Sequence, residues 1–196
     1  MAKKIIFALI AISTTSLATI APAPARADGS SVVFGSRPTD ECAAAAAAAR
    51  SAGTANKGQL GLCNQAVIWA KFQPLDHWAA LLNRSVLHLA RAEYSAAISD
   101  INYAIKQGAD LPDALNDRGA AEAGLHQYQA AADDFTQALA AGVKHPEVVY
   151  FNRALVYEDL GEMKQAYLDY RKAAEINPRW DAPAKELARF TVGRAN

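Results

Sequence analysis

The chain has 196 residues with 20 basic and 20 acidic side chains. That balance argues against a nucleic-acid binder, which needs a basic surface to displace counterions from phosphates. At 52% hydrophobic and 20% charged, the chain is too apolar to be wholly disordered, and 45 of its residues are alanine, so its core must rely on close helix contact more than on bulky side chains or sheet.

The first element is an address. Lys3 and Lys4 precede an apolar run over residues 5–12, followed by Ala25-Arg26-Ala27. A basic start, a short apolar run and an Ala-x-Ala site predict a secretory signal peptide over residues 1–27. The run is too short for a membrane span, and no later segment is long and apolar enough, so stable membrane insertion is not expected after cleavage. Removing Lys3, Lys4 and Arg26 leaves 17 basic against 20 acidic groups, a mildly acidic mature chain. The expected location is the periplasm, with the extracellular space as the alternative. Residues 28–38 read as a flexible tether.

Residues 39–77 have the length of a helical hairpin, with helices predicted over 39–52 and 54–72. The seven-alanine run at 43–49 belongs to the first; a low-complexity linker is the competing reading. Cys42 and Cys63 are the only cysteines. In an exported chain such a pair predicts a structural disulfide, with two buried thiols or a redox pair as alternatives. In an antiparallel hairpin of those bounds, the two cysteines lie nearly level, as a bridge requires. A second helix starting at Gly58 or Leu60 loses that match. Trp69 and Trp78 are expected to pack at the junction with the next unit.

Three tripeptides then recur: Asn83-Arg84-Ser85, Asp117-Arg118-Gly119 and Asn152-Arg153-Ala154, with arginines 34 and 35 residues apart. The same offsets return Ala97, Ala131 and Ala166; Asp100, Asp134 and Asp169; Ile101, Phe135 and Tyr170; and Ala104, Ala138 and Ala173. With Ser85, Gly119 and Ala154, each unit repeats a small–large–small pattern suited to close helix approach. Replacing Ala131 with Leu is expected to overpack such a junction.

In this register the sequence resembles the tetratricopeptide repeat, a 34-residue helix–turn–helix. The resemblance covers about residues 78–180. The third unit, with Tyr157, Leu160-Gly161-Glu162 and Pro178, is the closest to the pattern, whereas His88 and Glu122 depart from it where a large side chain is usual. The resemblance implies an all-α protein: helical hairpin repeats at 78–111, 112–146 and 147–178, stacked into a short right-handed solenoid. A capping helix follows at 179–196, carrying Trp180, Leu187 and Phe190.

It also implies a groove for a peptide or partner helix, lined by the first helix of each repeat. The matching positions are Leu82, Val86 and Leu89; Asn116, Ala120 and Ala123; Phe151, Leu155 and Glu158. Asn83, Asp117 and Asn152 form a polar ladder beside them. One subclass clamps its ligand's terminal carboxylate with groove lysines or arginines, and these positions carry none. The alternative occupant is the protein's own N-terminal segment, including Val32, Val33 and Phe34.

Catalytic patterns are absent from the sequence, so no enzyme activity, cofactor or metal is expected. His77, His88, His126 and His145 are scattered; His126 and His145 read as solvated turn residues and His88 as a packed one. Asp133 and Asp134 read as a solvated helix face. The expected role is an envelope scaffold that binds another protein, or a structural, self-associating one.

Overall fold

The computed structural model describes residues 37–109 and 111–190. Residues 1–27, read as a signal peptide, nearly all of residues 28–38, read as a tether, and with them Val32, Val33 and Phe34 lie outside the described residues. The described chain holds the helices α1 (Pro38–Ala52), α2 (Lys57–Trp69), α3 (Pro74–Ala90), α4 (Tyr94–Lys106), α5 (Leu111–Gly124), α6 (Tyr128–Ala140), α7 (Pro146–Asp159), α8 (Met163–Ile176) and α9 (Asp181–Leu187). A single 3-10 turn, Ala70–Phe72, follows α2. No strand occurs among the described residues.

Consecutive helices pair as hairpins, and the second helix of each pair packs on the first helix of the next. First helices also touch one another, α1 on α3, α3 on α5 and α5 on α7, whereas second helices make no comparable contact among themselves. The array therefore closes on the first-helix side, which forms its inner face. Each hairpin turns at a left-handed residue, and the three stand in one register: Ala92 (φ 57°), His126 (φ 61°) and Gly161 (φ 79°). Only the last has the residue type that adopts this conformation without steric cost.

The recurring small and large residues form the core. Ala97, Ala104, Ala131, Ala138, Ala154, Ala166, Ala173, Ile101, Phe135 and Tyr170 are all buried. Gly119 shows why the contact must be close: a Cβ there would meet the Phe135 ring at 3.0 Å and the Ala131 carbonyl at 3.2 Å. Gly124 is tighter still, since its Cβ would fall 2.5 Å from the Tyr94 ring.

The N-terminal hairpin is built from other materials. The alanine run is helical, begun by Pro38 at the first turn, with Asp40 and Glu41 at its positive end and Arg50 at its negative end. Gly53 closes it in the left-handed conformation, and Asn56 with Gln59 forms a capping box for α2. The cysteine sulfurs are 2.05 Å apart, disulfide distance, with Cα atoms at 4.5 Å. Helix α2 starts at Lys57, later than the level-helix argument assumed, yet the cysteines still meet. Cys42 lies about 15 Å before the end of α1 and Cys63 about 9 Å into α2. The intervening residues 53–56, extended at Asn56, take up the difference.

One further expectation fails here. Trp78 packs with Leu81, Ala104 and Ala109. Trp69 does not join it: α2 ends there, and the 3-10 turn leaves Trp69 41%, Ile68 73% and Phe72 88% exposed. At the other end the described part of the expected 179–196 cap holds a helix of seven residues, and residues 191–196 lie outside the described residues. Trp180, Leu187 and Phe190 nevertheless pack on Phe151, Ala154 and Tyr170.

Candidate partner-binding face

The repeat arginines and aspartates, which the sequence offers only as register marks, are partners. Arg84 holds Asp100 through Nε and Nη2, both at 2.7 Å. Arg118 holds Asp134 at 2.6 and 2.8 Å, and Arg153 holds Asp169 at 2.7 and 2.9 Å. The separation is 16 residues in every unit. The remaining Nη1 donates backwards to the preceding hairpin: Arg84 to Asn64 Oδ1 (3.0 Å), Arg118 to Asn102 Oδ1 (2.8 Å) and Arg153 to Thr136 Oγ1 (2.8 Å). Each arginine thus joins both helices of its own repeat and the last helix of the one before. Bidentate, charge-assisted pairs of this kind are strong where solvent is largely excluded. Asp134 is therefore not part of a solvated face; it is 4% exposed, while Asp133 is exposed. The constant spacing was the signal that could have revealed the pairing.

The departures His88 and Glu122 fill the place held by Tyr157 in the third repeat, where the Tyr157 ring lies 5.6 Å from the Arg153 guanidinium. His88 Nδ1 meets Glu93 Oε2 at 2.7 Å, which makes it a satisfied, half-buried residue. Glu122 is less comfortable. Its Oε2 is buried without a hydrogen-bond partner among the described residues. Burial, and then the neighbouring Asp134 carboxylate, push its carboxyl up to about 7 against the pull of Arg118; Asp133 adds a smaller push upward.

None of the twelve residues expected in the groove and its ladder is exposed, Ala123 and Glu158 being buried. Val86, Leu89, Asp117, Ala120 and Phe151 are buried. Leu82, Asn83, Asn116, Asn152 and Leu155 are half-buried. Both ends of the face are held by the chain itself. At the N-terminal end, Arg50 of α1 reaches Asp117 of α5, with Nη2 at 2.6 Å from Oδ2 and Nη1 at 3.3 Å from Oδ1. At the C-terminal end the Trp180 ring lies 4.7 Å from Phe151. There Arg189 and Tyr170 both donate to Glu158, at 3.1 and 2.7 Å. Burial, and then that bond to Glu158, hold the Tyr170 phenol well above its ordinary range. Among the described residues the occupants are α1 and the cap; Val32, Val33 and Phe34, which the sequence suggested, lie outside them.

Between these ends lies a shallow apolar depression. It is lined by Ala120, Ala123 and Phe135 on one side and by Asn152, Leu155, Val156 and Asp159 on the other. Its enclosed volume is about 10 Å³, room for a single water. It is a shallow contact for a side chain rather than a cavity for a small molecule. Asn116, on the same helix as Ala120, donates to Asp117 Oδ1 at 3.2 Å, while its own Oδ1 is buried without a partner. Among the described residues, no group of three or more His, Cys, Asp or Glu could hold a metal ion, and no helix is long and apolar enough to cross a membrane.

A family model described as Tetratricopeptide repeat matches residues 148–179, the α7–α8 hairpin that the sequence pattern singled out. A solved structure titled "Crystal structure of MamA" is similar with a TM-score of 0.60, over 72% of this chain and 80% of that one. The fold is a tetratricopeptide-repeat solenoid. At 21% sequence identity, the likeness to MamA speaks for this tetratricopeptide architecture alone. A comparison with curated proteins by sequence gave no match.

Proposed function

We propose that the protein is an exported protein-interaction module that holds a peptide or partner helix against its first-helix face, without bond-making chemistry. The depression between α5 and α7 carries this reading. It is the stretch of that face left between the two self-occupied ends, and it combines small Ala120 and Ala123 with the apolar Leu155 and the amide of Asn152. An amide can both donate to and accept from a peptide backbone, holding a chain without reading its side chains. The basic pair, apolar run and Ala25-Arg26-Ala27 support export to the cell envelope. A cysteine pair at disulfide distance fits an oxidising compartment.

The test is in-cell crosslinking with the mature chain as bait and a photoreactive residue at Leu155. The expected result is a dominant adduct that is lost in an Asn152→Ala/Asp159→Lys variant with unchanged helical signal. An adduct pattern indifferent to those changes overturns the reading. The occupied ends of the face favour a second reading, a structural or self-associating role. Light scattering over a concentration series separates the two, since self-association raises the apparent mass with concentration.

A further inference from the structure

The two ends of the face are held in different ways. The cap brings Trp180, Leu187 and Phe190 onto Phe151 and Tyr170. Helix α1 buries only Cys42, Ala45, Ala46 and Ala49. Alanine removes little apolar area from water, so most of α1 adheres weakly for its length. Its localised ties include the link between Cys42 and Cys63 near its start and the Arg50–Asp117 pair near its end.

The second tie is unusual in its position. Asp117 takes the ladder place that asparagine fills at Asn83 and Asn152, and it is the member bound by a residue 67 positions away. Its surroundings offer hydrogen-bond acceptors, namely both Asp117 oxygens and the unpartnered Asn116 Oδ1. Apart from the Asn116 amide, which donates to Asp117 Oδ1, these groups accept, and such a site suits a guanidinium or ammonium group. The Asp117 side chain is 8% exposed but that of Arg50 is 45% exposed, so water can solvate the arginine as it leaves, and the carboxylate it uncovers is the group that a competing cation would take. Gly53 ends α1 in the left-handed conformation and opens the short link to α2. The surface that α1 meets is apolar: α1 packs on α3, where Ala80 and Leu87 share a buried cluster with Cys42 and Ala49.

We propose that the C-terminal part of α1 is an autoinhibitory latch over the α3–α5 end of the partner-binding face, released when a basic side chain of the partner displaces Arg50 from Asp117. This rests on the reading of that face as the partner surface. The link between Cys42 and Cys63 keeps the released helix attached, so reclosing is intramolecular and competes strongly with a weak ligand. A partner must therefore bring both a cation for Asp117 and apolar side chains for the uncovered α3 surface. Neutral peptides are confined to the depression beside Leu155.

Hydrogen exchange on the full chain, with the cysteine link intact, tests this in two arms. Arg50→Glu is expected to speed exchange at least tenfold over residues 45–56 and to raise it over residues 86–90. Exchange in α7 and α8 should be unchanged, and the swapped pair Arg50→Asp/Asp117→Arg should restore protection. Hexa-arginine added to the unaltered protein is expected to reproduce the opening, hexa-glutamate to leave it closed, and the Asp117→Asn variant to lose the response to hexa-arginine. Unchanged exchange in Arg50→Glu, a loss that spreads into α7 and α8, or no difference between the two peptides overturns the latch. Should both arms hold while crosslinking at Leu155 yields no specific adduct, the latch stands and the proposed function fails.

Discussion

The N-terminal hairpin and the third repeat share one architecture and stabilise it by opposite means. Around α7 and α8 the core is aromatic: Phe151, Tyr170, Trp180 and Phe190 meet edge-on or tilted at 4.7–6.0 Å. Around α1 and α2 it is Cys42, Ala49, Cys63, Ala66 and Ala80, with Leu87 as its one large buried side chain. Where side-chain volume is scarce, a covalent link and two caps take its place. A repeat fold thus fixes where helices meet but not what fills the contact, and the two ends should respond differently to damage.

The largest effect should follow Phe151→Ala, which removes a 5% exposed ring from the aromatic end. A loss of about 4 kcal/mol is expected, read as a lower midpoint in urea unfolding for the whole array. A change confined to α9 would show that the aromatic cluster does not support the repeats. The Cys42→Ser/Cys63→Ser pair opens a link spanning 21 residues and should cost about 3 kcal/mol. That loss should be local, appearing as a separate early transition in calorimetry, with the main transition near its original temperature. A single transition shifted as a unit would erase the contrast between the ends.

A smaller effect sharpens the comparison in the middle repeat, where Glu122 stands in the place of Tyr157. Its folded carboxyl titrates at about 7, above the value of 4.5 for an unperturbed glutamate. The folded state therefore binds the extra proton between those values, and stability falls as pH rises through that window. The penalty is fully present above pH 7 and absent below about pH 4.5. After allowance for solvent screening it is about 1 kcal/mol. Glu122→Gln should remove this slope and raise the melting temperature at pH 8 by a few degrees. An unchanged pH profile would show that the Glu122 carboxyl is not the source of the slope.

Much of the fold was legible in the sequence because a helical repeat writes its packing locally. Ala131, Phe135 and Ala138 lie on one helix, and the same spacing recurs in its neighbours. The Arg118–Asp134 pair was legible in principle, since both residues keep register, but the distance of 16 residues joins two helices and no single-helix pattern displays it. The state of the candidate face was not legible. The place of Asp117 follows from the register, yet its partner Arg50 comes from a hairpin without the repeat pattern, 67 residues away. Trp69 failed for a related reason: helix α2 ends at that residue, a boundary that hydrophobic periodicity does not mark.

The backward reach of Arg84, Arg118 and Arg153 gives the array a direction. Each arginine donates to a helix made earlier, at Asn64, Asn102 or Thr136, while its aspartate lies 16 residues later. A chain that emerges N-terminus first therefore always presents its next unit with a docking point already in place. Nearest-neighbour contacts then add one hairpin at a time. Among the described residues the hairpin of Cys42 and Cys63 offers the first such docking point, at Asn64, and the short helix α9 carries no arginine–aspartate pair of this kind.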